Sequence, residues 1–234
     1  MHDEFGSESG SGTRRTPRYA AALFDCDGTL LDTIEDLADA GNAVCELNGW
    51  PTFSLEEYKH MVGNGQRTLV RRLVPAPLRD DGPTLERAYE QYCAHYARHR
   101  LDHTTPYPGI LDALDELSRR GVMLGVLTNK NADAARDLIG RFFGSRFAWV
   151  QGRVDATPAK PDPTMTRALM AHLGCDAASA IVVGDSDVDV ECGNRAGIDS
   201  CGVLWGFRDR EELEGHGATY VARRPADLVG IIAG

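Results

Sequence analysis

The 234-residue chain has no closely spaced cysteine pair. Its six cysteines, Cys26, Cys45, Cys93, Cys175, Cys192 and Cys201, form no CxxC motif and no zinc-type spacing. The seven histidines show no paired ligand spacing either, so a structural zinc site has no support. The N-terminus lacks the apolar core of a secretory signal, and no run is long enough to span a bilayer. With free thiols, these features lead us to expect a reducing, cytoplasmic compartment. Basic charge is scarce: 25 Lys and Arg against 35 Asp and Glu leave a formal net charge of -10. That balance argues against nucleic acid or an anionic membrane as partner, but a small anionic ligand needs only local positive charge. Internal repeats are absent, which excludes solenoid folds.

Three short apolar runs share one design. Ala20–Phe24 ends in Asp25, Val122–Leu127 in Thr128 and Asn129, and Ala180–Val183 in Gly184 and Asp185. Continuous apolar runs of this length fit strands buried on both faces of a parallel sheet. Helical patterns lie between them. Ile110, Leu111, Leu114 and Leu117 share a face that Gly121 ends; Ala134, Leu138 and Ile139 mark another helix; Asp162 and Pro163 read as an N-cap and first-turn proline opening a helix through Met170. Alternating strands and helices predict an open α/β sheet of Rossmann-like type, which binds ligands at the carboxyl ends of its strands. All three polar terminations fall on that edge.

Met1–Arg18 is polar, rich in Gly, Ser and Glu, and expected to be a disordered tail. Residues 19–32 and 106–234 form the expected core. The intervening residues 33–105 are too many for a structureless loop. Their signals are helical: capping-box patterns at Thr33/Asp36 and Ser54/Glu57, a stripe of Ile34, Leu37, Gly41 and Val44, a helix around Leu69, Val70 and Leu73 stopped by Pro75, and another carrying Leu85, Tyr89, Tyr92 and Tyr96. We expect a small helical domain inserted after the first strand, capping the sheet edge.

The string Asp25-Cys26-Asp27-Gly28-Thr29 follows the first run directly. Two carboxylates at this spacing can divide two tasks, one attacking phosphorus and one moving the proton of the leaving oxygen and of water. Gly28 permits the tight turn that keeps both near the strand end. Gly184-Asp185-Ser186-Asp187-Val188-Asp189 brings further acids to the same edge. Packed together they repel and raise one another's pKa, a conflict that a hard divalent cation such as magnesium (Mg2+) resolves. Taken alone, each string has a plain structural explanation: an acidic turn, a calcium-like loop or acidic helix start, a solvated lysine at Lys160, strand-end caps at Thr128 and Asn129.

Taken in order, DxDGT, a strand ending in Thr-Asn, Lys-Pro and GDxxxD resemble the four-motif pattern of the haloacid-dehalogenase superfamily from about Tyr19 to the C-terminal end. The resemblance implies Asp25 as nucleophile, Asp27 as general acid/base, and Thr128, Asn129 and Lys160 as substrate-binding groups. It implies magnesium held by Asp25, the carbonyl of Asp27 and Asp185, with Asp189 supporting. An acid at Asp27 is missing from true dehalogenases, so phosphoryl transfer is favoured. Leu31-Asp32-Thr33, Val62-Gly63-Asn64-Gly65, Tyr107-Pro108-Gly109 and Thr128-Asn129-Lys130 look like phosphoglycolate phosphatases. A small phosphorylated metabolite, best 2-phosphoglycolate, is the expected partner of a monomer or homodimer, with Arg67, Arg71, Arg72 and Lys130 as candidates for its carboxylate. Rival readings are a phosphomutase, a pyrophosphatase or other-substrate phosphatase, a phosphonate hydrolase dependent on Lys59, and a non-catalytic phosphate-responsive module. Cys26 reads as packing.

Overall fold

A computed structural model describes residues 16–234. Most of the expected N-terminal tail therefore lies outside the described residues.

The first buried run becomes β1 (Ala21–Phe24), fully covered on both sides. Ala22 and Phe24 face one apolar cluster, Ala21 and Leu23 another. The chain then makes a tight turn and forms β2 (Leu31–Asp32). Four helices follow: α1 (Ile34–Asn48), α2 (Leu55–Met61), α3 (Gln66–Leu73) and α4 (Gly82–His99). β3 (Thr105–Pro106) returns antiparallel to β2, pairing Leu31 with Pro106 and Asp32 with Thr105. The helical insertion thus leaves and re-enters the core through a two-stranded stem. It has its own apolar cluster, built on Leu37, Val44, Tyr58, Leu69, Val70 and Tyr92.

The remaining chain alternates helices and strands: α5 (Ile110–Arg119), β4 (Met123–Asn131), α6 (Ala132–Phe143), β5 (Trp149–Arg153), α7 (Thr164–Leu173), β6 (Ala180–Gly184), α8 (Asp187–Ala196), β7 (Asp199–Val203), α9 (Arg210–Gly215), β8 (Tyr220–Ala222) and α10 (Asp227–Ile232). The sheet order is β5-β4-β1-β6-β7-β8, and every pairing is parallel. α5, α6 and α10 cover one face, α7 and α8 the other. This is the expected α/β core, and β1 lies at its centre.

Two local expectations need correction. The Ser54/Glu57 capping box forms, with Ser54 N–H donating to Glu57 Oε2 at 2.8 Å. The Thr33/Asp36 box does not. Thr33 donates its hydroxyl to Asp27, while buried Asp36 accepts from His103 N–H, Thr104 N–H and the Thr104 hydroxyl at 2.6–2.9 Å. Thr33 is drawn away by the Asp27 carboxylate, an acceptor, and Asp36 by the donors of the returning stem. The N-cap of α7 is Pro163 rather than Asp162, although the Asp162 carboxylate still accepts from Thr164 N–H.

Asp36 thereby fastens the first insertion helix to the returning stem. Asp36→Ala strands two backbone N–H groups, and about 2–4 kcal/mol of stability is expected to be lost. The check is the urea midpoint, with Asp36→Asn expected to lose less.

Candidate active site

Asp25 stands immediately past β1, its N–H donating to Val183 O at 2.9 Å. Gly28 takes φ +80°, and a Cβ there would run into the Asp185 carboxylate. A glycine is therefore required both for the turn and for the approach of the two acidic strings. β4 continues to Asn131, but its pairing with β5 is irregular between Leu127 and Asn131. Thr128, Asn129 and Lys130 occupy that irregular stretch, all buried at the edge beside Asp25.

Lys160 is 3 % exposed. Its ammonium donates to Asp189 Oδ1 at 2.5 Å and to Leu127 O at 2.9 Å, and lies 3.0 Å from Asp25 Oδ1. Burial opposes the charge on Lys160, but the carboxylates of Asp189 and Asp25 outweigh it and push its pKa up. The main chain of Lys160 is held by Asn129. The Asn129 carbonyl oxygen accepts from Lys160 N–H at 2.7 Å, and its amide donates to Lys160 O at 3.1 Å and to Gly63 O of the insertion at 2.9 Å. Asp189 has both oxygens engaged: Oδ1 by Lys160, Oδ2 by the N–H and hydroxyl of Ser186 at the start of α8.

Asp27 pairs with a second buried ammonium. Lys130 Nζ reaches its two oxygens at 2.7 and 3.0 Å, and Thr33 donates to Oδ1 at 2.9 Å. Lys130 also sits over the Tyr96 ring, 4.9 Å from its centroid. This corrects the expectation that Lys130 meets a substrate carboxylate: its charge is spent on Asp27. The arginine candidates are likewise committed. Arg67 pairs with Glu86, Arg71 with Asp80, and Arg72 binds Met61 O and Asn64 Oδ1.

The loop after β7 supplies parts that the sequence reading missed. Phe207 N–H donates to Asp185 Oδ2 at 2.9 Å, opposite the Thr29 hydroxyl on Oδ1 at 3.1 Å. Arg208 donates to Lys59 O and Val62 O of the insertion. The Trp205-Gly206-Phe207 string after a strand was the available signal, since a Cβ at Gly206 would clash with Asp185 and with Gly28 O. Ser186 and Asp189 also stand at capping-box spacing, which marks the start of α8.

Together these groups line a cleft between sheet edge and insertion, walled by Leu37, Val62, Leu69 and Phe207. The donor set fits a hard divalent cation. Asp25, Asp185 and Asp189 each place a carboxylate oxygen within 4.8 Å of the others, all buried. Asp25 Oδ1 is buried without a directed hydrogen bond, because Lys160 aims at Asp189 and Leu127. Four carboxylates face only two ammonium groups, an excess that one dication cancels.

Residues 22–203 match the haloacid dehalogenase-like hydrolase family. The chain belongs to that family. It is 34% identical over 215 residues to a phosphoglycolate phosphatase of Chromobacterium violaceum, covering 91% of this chain and 96% of that one. It is 29% identical over 217 residues to an N-acetylmuramic acid 6-phosphate phosphatase of Pseudomonas aeruginosa, covering 92% and 95%. A crystal structure from Lactobacillus delbrueckii subsp. bulgaricus, provisionally named a phosphoglycolate phosphatase, superposes with a TM-score of 0.86 at 32% identity, covering 93% of this chain and 99% of that one. The chain is a phosphoric monoester hydrolase of this family.

Burial pushes Asp25 up to about 6; Lys160 works against the rise, Asp189 and Asp27 with it. Asp185 is raised as well, by burial and then by Asp189 and Asp25. Raised carboxylates favour the folded state below their ordinary range near ~4 and lose that contribution as pH rises through the folded value. Magnesium should therefore raise the melting temperature more at pH 7.5 than at pH 5. Melting curves in chelator and in excess magnesium at both pH values check this.

Proposed function

We propose that this chain is a magnesium-dependent phosphatase acting through an aspartyl-phosphate on Asp25, with 2-phosphoglycolate as its substrate. The observation that carries the mechanism is the four-acid, two-lysine cluster at the sheet edge. Asp25 attacks phosphorus in line, forming the Oδ–P bond as the bond to the leaving oxygen breaks. Lys160 and the Thr128 hydroxyl hold phosphoryl oxygens. Asp27 gives a proton to the leaving oxygen, then takes one from the water that hydrolyses the intermediate. Its exposure supports that division: 21% of the Asp27 side chain is open against 9% for Asp25.

Asp25, Asp185 and the carbonyl of Asp27 are the groups we assign to magnesium, and Asp189, with both oxygens engaged, holds Lys160 in place. The ion, when bound, offsets negative charge on the phosphoryl oxygens. The substrate assignment is supported by the names of the relatives. Asn129, first read as a substrate contact, serves by fixing the Lys160 main chain. The insertion acts as a cap that excludes water from the cleft. Six unpaired cysteines support a cytoplasmic setting.

Phosphate release from 2-phosphoglycolate, hexose 6-phosphates, N-acetylmuramic acid 6-phosphate, nucleotides and pyrophosphate tests the reading, with and without magnesium. Turnover is expected to need magnesium, to peak on 2-phosphoglycolate, and to fall at least ~10³-fold in Asp25→Asn. A peak on another ester removes the substrate and keeps the mechanism; full activity in Asp25→Asn removes the mechanism.

A further inference from the structure

Every cation near the cleft named so far is already paired. Lys160 faces Asp25 and Asp189, Lys130 faces Asp27, Arg67 and Arg71 face acids within the insertion, Arg72 holds the Met61–Asn64 turn, and Arg208 holds carbonyls and Glu212. Arg153 stands apart. It is the last residue of β5 and pairs in register with Asn131. Its Nε is buried with no hydrogen-bond partner among the described residues. Buried donors in folded proteins are nearly always satisfied, so an unpaired guanidinium nitrogen at the cleft calls for an acceptor that the described residues do not provide.

The position is specific. A Cβ at Gly65 would come within 2.9 Å of an Arg153 terminal nitrogen, so the guanidinium lies in the seam where the insertion meets the core. A side cleft there is lined by Arg153, Gln66, Arg67, Asn131 and Asp155. It shares Gln66 and Asn129 with the cleft over Asp25. β5 lies two strands from β1, a lateral offset of ~9–10 Å. The Arg153 side chain crosses part of that offset, its terminal nitrogen lying beside Gly65, which also walls the cleft over Asp25.

We propose that Arg153, with Gln66 beside it, forms a distal anion subsite that receives the carboxylate of the substrate. The inference rests on the phosphatase reading and deepens it by naming the second charged group of the substrate. A guanidinium offers two parallel N–H donors to a carboxylate, and the Gln66 amide adds another. Asp155 is the acid that shares the cleft. Among the described residues it makes no ion pair with Arg153, so the guanidinium is left to a carboxylate entering the seam.

The test compares 2-phosphoglycolate with p-nitrophenyl phosphate, which carries no carboxylate, in native, Arg153→Gln and Arg153→Lys protein. Arg153→Gln is expected to lower kcat/KM for 2-phosphoglycolate by about 10- to 100-fold, mostly through KM, and to leave p-nitrophenyl phosphate within about twofold. Arg153→Lys should restore part of the loss, and Gln66→Glu should show the same selective loss by repulsion. Equal losses on both esters, or none on either, overturn the proposal. Calorimetric binding of 2-phosphoglycolate to the Asp25→Asn protein, with and without Arg153→Gln, gives an answer independent of turnover. Affinity unaffected by Arg153→Gln, or no binding at all, also overturns the subsite. Loss of turnover in Asp25→Asn bears only on the nucleophile, so the two readings fail separately.

Discussion

The Lys160 ammonium is buried at the carboxyl edge of a parallel sheet, between two carboxylates and a backbone carbonyl. A charge in that position is tolerated only when its surroundings repay its lost hydration. Asp189 and Asp25 do so, and each is then committed to a particular place. Asp189 is fixed further by Ser186, which sets the start of α8. Asp185 precedes it and is aimed by Thr29 and Phe207. The local backbone of three strand ends thus follows from one requirement: four acids must share a small volume without enough positive charge. The surplus of negative charge suits the edge to a dication, which would in turn attract a phosphoryl group.

The sequence made much of this visible. β1, β4 and β6 were readable because each is an apolar run that ends abruptly in polar residues. Asp25, Thr128, Asn129 and Asp185 stand at those endings, whereas Lys160 lies outside any strand and was singled out by the resemblance. The strands that escaped notice lack the signal: β7 includes Ser and Gly, β8 spans three residues, and β5 is an edge strand with exposed Trp149. Edge and short strands need fewer apolar positions, so periodicity says little about them. Thr33 and Asp36 misled for a different reason. A capping pattern states what a side chain can reach locally, whereas the contacts that won come from residues 27, 103 and 104.

The same distinction explains why basic residues were harder to assign than acidic ones. Acids at strand ends are fixed by the backbone that precedes them. Long arginine and lysine side chains choose among partners that only the fold brings near, so Lys130 turned to Asp27 and Arg67 to Glu86. Phosphatases named for a two-carbon acid and for an amino sugar acid both resemble this chain at about 30% identity. Overall likeness fixes the core reaction; the organic half of the substrate is read by the few side chains along the cleft.

The hydrogen bonds from the core to the Lys59–Gly63 stretch of the insertion share one property. Asn129 and Arg208 donate to main-chain oxygens of Gly63, Lys59 and Val62. Any residue presents such an oxygen, so these bonds ask nothing of the side chains there. With both ends of the insertion joined to the core by one short stem, descendants of this fold can rewrite that surface while the docking stays intact. The lineage is free to explore new molecules without rebuilding the chemistry beneath.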